Sequence, residues 1–95
     1  MTDLKKRYRR NENLVFRRIG DEMILVPIRD NVGDMSFIYN LNETAGFIWE
    51  HLDGKRSLLD LQEMIVNVFD VEPERAQRDV SDLIEELKEI DAVLE

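Results

Sequence analysis

The sequence predicts an α+β domain in which a three-stranded antiparallel sheet is followed by three helices. Three observations predict it. Two apolar, β-branched runs are separated by Gly20-Asp21, a third run alternates with period two, and from Asn42 onward the apolar spacing becomes helical.

Residues 14–19 and 22–27 are the first two strands, and the Gly20-Asp21 pair between them reads as a hairpin turn. Pro27 has no N–H to give to a ladder, so the second strand is expected to end there, and the turn-rich residues 29–34 connect it to the third. In that third strand Met35, Phe37, Tyr39 and Leu41 alternate with Ser36, Ile38, Asn40 and Asn42. The switch to helix is immediate. Asn42 stands where an N-cap belongs, Glu43 suits the positive helix end, and Ile48 and Trp49 face inward.

The first helix is expected over residues 43–52, stopping at Asp53-Gly54. Ser57 caps a second helix over residues 58–69, whose Leu58, Leu61, Ile65, Val68 and Phe69 share a stripe. Pro73 suits the first turn of a third, with Glu72 as its expected cap, and Ala76, Val80, Leu83, Ile84, Leu87 and Ile90 mark its buried side.

The 95 residues form one small domain with room for a core and none for a deep catalytic cleft. A composition of 43% hydrophobic and 36% charged residues suits a soluble globular chain rather than a disordered or membrane one. With no membrane-length apolar run and no secretory signal core, cytoplasmic residence is expected. The absence of cysteine excludes disulfides and thiol chemistry from this chain. Charge is uneven: residues 1–18 hold seven Lys/Arg and two acids, for +5, and the rest carries −13 of the net −8. Residues 1–13 therefore read as a basic N-terminal arm, most simply a solvated tail, ahead of a domain over residues 14–95.

Chemistry-bearing residues are sparse. His51 is the sole histidine, and its place near a helix end is explained by the helix dipole without a metal. Ser36, Ser57 and Ser81 have no local base, and Glu85 and Glu86 point apart on a solvated helix face. The four glycines are isolated, so no phosphate-cradling loop can be built. No catalytic residue, cofactor or metal is expected. Trp49, flanked by Ile48 and Leu52, reads as core.

Tyr39-Asn40-Leu41-Asn42-Glu43-Thr44-Ala45, followed by Ile48-Trp49-Glu50 and Leu52-Asp53-Gly54, resembles the PqqD-like family of peptide chaperones, or RiPP recognition elements. The resemblance takes in Tyr8-Arg9-Arg10-Asn11 and residues 70–80 as well, about nine-tenths of the chain. It implies a winged helix-turn-helix arrangement. It also implies that the leader segment of a ribosomally made precursor peptide binds by β-strand addition between the third strand and the third helix. The modifying enzyme that receives the peptide would be a radical S-adenosylmethionine enzyme or another maturation enzyme.

Carried onto this sequence, the strand contributors are Ser36, Phe37, Ile38, Tyr39 and Asn40, and the helix contributors are Arg75, Arg78, Asp79, Asp82 and Leu83. Phe37 or Ile38 with Leu83 would hold an apolar leader anchor, and the two arginines would read an acid. A monomer or weak homodimer is expected, without nucleic acid or membrane as partner. Two alternatives stand beside this reading: a winged-helix DNA-binding protein, which the acids outnumbering Arg75, Arg78 and Lys88 on the third helix disfavour, and a structural adaptor that docks on a larger enzyme.

Overall fold

The computed structural model describes residues 3–29, 32–33 and 38–95. In chain order the elements are β1 (Arg7–Arg10), β2 (Leu14–Ile19), β3 (Glu22–Arg29), β4 (Val32–Gly33), β5 (Tyr39–Leu41), α1 (Glu43–Glu50), β6 (Asp53–Ser57), α2 (Leu58–Phe69), α3 (Pro73–Glu89) and β7 (Val93–Leu94). They build an α+β fold with two small antiparallel sheets. One has the order β6-β1-β7, and in the other β3 is central, with β2 on one side and both β4 and β5 on the opposite side.

The β2–β3 hairpin turns on Gly20, whose φ of +61° opens a II′-type turn that a Cβ would strain. The ladder runs from Ile19↔Glu22 to Leu14↔Pro27. β3 does not stop at Pro27 as expected; it continues to Arg29. Counted from the turn, the backbone groups of odd-numbered β3 residues face away from β2. Pro27 therefore directs its missing N–H to the interval between the β5 pairing at Met23 to Leu25 and the β4 pairing at Ile28 and Arg29. Among the described residues no strand pairs with Pro27 on that side.

Residues 7–10 correct the expectation of a solvated basic tail. β1 is the middle strand of its sheet, paired to β6 at Arg7↔Ser57 and to β7 at Arg9↔Leu94. Tyr8 is buried in the core at 3% exposure while Arg7 and Arg9 face solvent.

Helix α1 opens as expected, with Asn42 Oδ1 accepting from the Ala45 amide at 2.8 Å. It ends earlier than expected, at Glu50 with His51 as C-cap, and Asp53-Gly54 begins β6 instead of terminating a helix. His51 Nδ1 lies 2.7 Å from the Phe47 carbonyl, with its ring stacked on Phe47 at 4.2 Å. Ser57 and Asp60 form a reciprocal capping box on α2. Glu72 occupies the N-cap position of α3 but makes no side-chain cap bond. Its side chain is one methylene longer than the Asp and Asn that suit this geometry.

The core gathers the inner faces of both sheets and all three helices: Met23, Leu25, Ile48, Trp49, Leu52, Leu58, Leu61, Ile65, Val80, Ile84 and Leu87 are fully buried. Each such side chain contributes roughly 1.5–3 kcal/mol by leaving water. Trp49 is core, as its sequence context predicts, and Phe16 meets it edge to face at 5.9 Å. Among the described residues no helix is long and apolar enough to cross a membrane.

Candidate functional site

β5 pairs with β3 at Met23↔Leu41, Ile24↔Asn40 and Leu25↔Tyr39, and no described strand pairs with its other edge. Because Met23 and Leu25 direct their backbone groups at β5, the Tyr39 and Leu41 groups answer them. Those of Asn40 and Ile38 turn outward, to the free edge. The side chains follow the complementary alternation: Leu41 is buried and Tyr39 packs on the core, while Ile38 and Asn40 are exposed.

Where β5 passes into α1, a shallow groove of about 200 Å³ lies between the start of α1 and one stripe of α3. Asn42, Thr44, Ala45 and Ile48 line one wall, and Arg75, Asp79, Asp82, Leu83 and Glu86 line the other. The α3 positions fall at helical spacing, so they share one face, and the opposite side of α3 carries Ala76, Val80, Ile84 and Leu87 into the core. α3 thus holds its groove stripe rigidly.

The stripe is zoned. Arg75 and Arg78 occupy the first turns, and Asp82 and Glu86 come later. Arg75 Nε approaches Asp79 Oδ2 at only 3.9 Å with its side chain 73% exposed, so this pair is weak and easily exchanged. Arg78 is exposed, has no ion-pair partner among the described residues and stands at the margin of the groove.

Of the residues expected to bind, Arg75, Asp79, Asp82 and Leu83 come together in the groove, Ile38, Tyr39 and Asn40 stand on or beside the β5 edge, and Arg78 flanks the stripe. Ser36 and Phe37 lie outside the described residues. Sequence reasoning missed Asn42, Thr44, Ala45, Ile48 and Glu86 as groove residues. The signal for Glu86 was present, since it stands four positions after Asp82. Asn42 had been read only as a cap and Ile48 only as core, and Thr44 and Ala45 only as part of the family resemblance.

The sequence matches the family model described as coenzyme PQQ synthesis protein D (PqqD) over residues 22–93. Among solved structures, lasso peptide synthetase B1 complexed with its leader peptide superposes with a TM-score of 0.73 at 25% identity, covering 93% of this chain and 98% of that one. TbiB1 in complex with the TbiA(beta) leader peptide shares the fold with a TM-score of 0.72 at 18% identity, covering 90% of this chain and 93% of that one. No match is found among curated proteins. The family match takes in every element from β3 to α3, the free strand edge and both walls of the groove included, and the chain belongs to the PqqD family.

Proposed function

We propose that this chain is a non-catalytic peptide chaperone that binds the leader segment of a ribosomally made precursor peptide and presents it to a modifying enzyme. The observation that carries this reading is the β5 edge, unpaired among the described strands, beside a groove walled by α1 and α3. An extended leader adds as a strand, taking backbone bonds from Ile38 and Asn40, and its alternate side chains drop toward Ile48 and Leu83. Arg75 and Arg78 meet an acid at one end of the leader, and Asp82 and Glu86 favour a basic or neutral side chain at the other. The similar structures are complexes with leader peptides, which supports a leader peptide as the ligand.

The modifying enzyme is a radical S-adenosylmethionine enzyme or another maturation enzyme, the setting is cytoplasmic, and the chain itself supplies no catalytic group. The test is an amide NMR titration of labelled protein with a synthetic leader from the precursor encoded beside it, with duplex DNA run in parallel. Saturable shifts confined to residues 38–45 and 75–86 with DNA silent are the expected result. An unresponsive groove sends the reading to the adaptor role, and salt-sensitive DNA shifts send it to the winged-helix role.

A further inference from the structure

The sheet of β2, β3 and β5 has two very different faces. Leu14, Met23, Leu25 and Leu41 point to the core, and α1 packs there with Gly46 against Met23. The opposite face carries the alternate residues, Val15, Arg17, Ile19, Glu22, Ile24, Val26, Ile38 and Asn40. A solvated antiparallel face is ordinarily polar. Here Val15 is 47% exposed, Ile19 58% and Ile38 45%, with Ile24 and Val26 half-buried among them. Five aliphatic side chains in contiguous rows make a patch of the kind that marks an interface.

We infer that this outer sheet face is the docking surface for a second copy of the chain. The charges on it are self-complementary: among its described residues only Arg17 and Glu22 are charged, they are opposite in sign, both are exposed, and neither has an ion-pair partner among the described residues. An isologous contact needs a patch that matches itself under a two-fold axis. An axis lying in the interface, parallel to the strands and midway between β2 and β3, lays Val15 over Val26 of the second copy. The same axis brings Arg17 within side-chain reach of the second copy's Glu22, and the reciprocal pair forms by symmetry. The acidic helices repel their like, whereas this face is neutral and apolar. The β5 edge stays free, so the dimer leaves the leader groove open.

Sedimentation velocity on the full chain, from about 1 µM to about 1 mM, reads the association directly. The expected result is a reversible approach to twice the monomer mass. Ile19→Asp, at a solvent-exposed position, weakens the dimer by about tenfold or more. Arg17→Glu weakens it too, and Arg17→Glu combined with Glu22→Arg restores it. Far-UV circular dichroism verifies that each variant is folded. A wild-type chain that stays monomeric throughout, which would leave the face for a different protein, overturns the proposal. So does a dimer indifferent to Ile19→Asp, or a double variant no better than Arg17→Glu alone.

Discussion

The guanidinium of Arg10 reaches across from β1 to the end of α1, where Nη1 donates to the Glu50 carbonyl at 2.6 Å and to the Trp49 carbonyl at 3.1 Å. The last turn of α1 has no basic residue of its own, so a cation from the other sheet caps the negative helix end. The same group lies 5.7 Å from the centroid of Phe16, and Arg18 pairs with the Glu50 carboxylate.

Arg10→Ala should therefore lower the unfolding free energy by about 2 kcal/mol, because two carbonyls lose a charged donor in a part-buried site. Urea denaturation measures it. A variant within about 0.5 kcal/mol of wild type would mean that water replaces the guanidinium without penalty.

The sheet built on β1 was the part of the fold that the sequence concealed. Arg7–Arg10 contains one apolar side chain, Tyr8, and Asp53–Ser57 contains none, so neither carries a period-two apolar signal. Their strand state comes from pairing across more than 40 positions, with Val93–Leu94 closing the other side. The hairpin, the Asn42 and Ser57 caps and the bounds of α2 were legible because each rests on residues adjacent in sequence. In the site, the α3 residues were named from the family resemblance rather than from their spacing, and the structure sets Arg75, Asp79, Asp82 and Leu83 along one groove. The α1 wall was not named, because Ile48 and Leu83 come to line one groove only through the packing of α1 against α3, which neither helix's own sequence states.

Asn42 has two roles, as cap of α1 and as lining of the groove. Asn42→Ala should cost about 1 kcal/mol, whereas Asn42→Asp keeps the acceptor and should remain near wild type. Thermal unfolding of the three proteins at one pH separates them, and equal losses for Ala and Asp would assign the effect to something other than the cap.

Asp53 gives a pH dependence with a defined sign. Its Oδ1 accepts from the Lys55 and Arg56 amides at 2.9 and 3.0 Å, and Arg56 Nη1 lies 2.8 Å from Oδ2, so the carboxyl is held below its ordinary value of 3.8. A depressed folded-state value stabilises above the unfolded one and is lost as pH falls through the folded one. Denaturation midpoints of wild type and Asp53→Ala should differ at neutral pH and converge as the pH drops below 3.8. A gap that persists into strong acid would trace the stabilisation to backbone geometry instead of charge.

Charge reversal tests the zoning of α3. With Arg75 loosely held and Arg78 exposed, Arg75→Glu with Arg78→Glu should leave stability almost unchanged and weaken leader binding by about tenfold, an effect that shrinks with added salt. Fluorescence anisotropy with a labelled leader at two ionic strengths reads both. Unchanged affinity would remove the arginines from recognition and leave the backbone edge and apolar anchors.

Asn40 isolates the backbone contribution. It sits opposite Ile24 at a position whose N–H and carbonyl turn away from β3, while Tyr39 and Leu41 carry the ladder bonds to Leu25 and Met23. Asn40→Pro thus deletes one outward donor without breaking an inward bond, and edge strands tolerate proline in this orientation. A lost backbone bond of about 1–1.5 kcal/mol corresponds to roughly a tenfold weaker leader complex. The paired control is Asn40→Ala, which removes the exposed side chain, keeps the amide and should bind as wild type does. Calorimetric titration of the three proteins with one leader, alongside their melting temperatures, decides between the outcomes. If Pro and Ala bind equally well while both remain folded, strand addition at β5 is not how the leader is held.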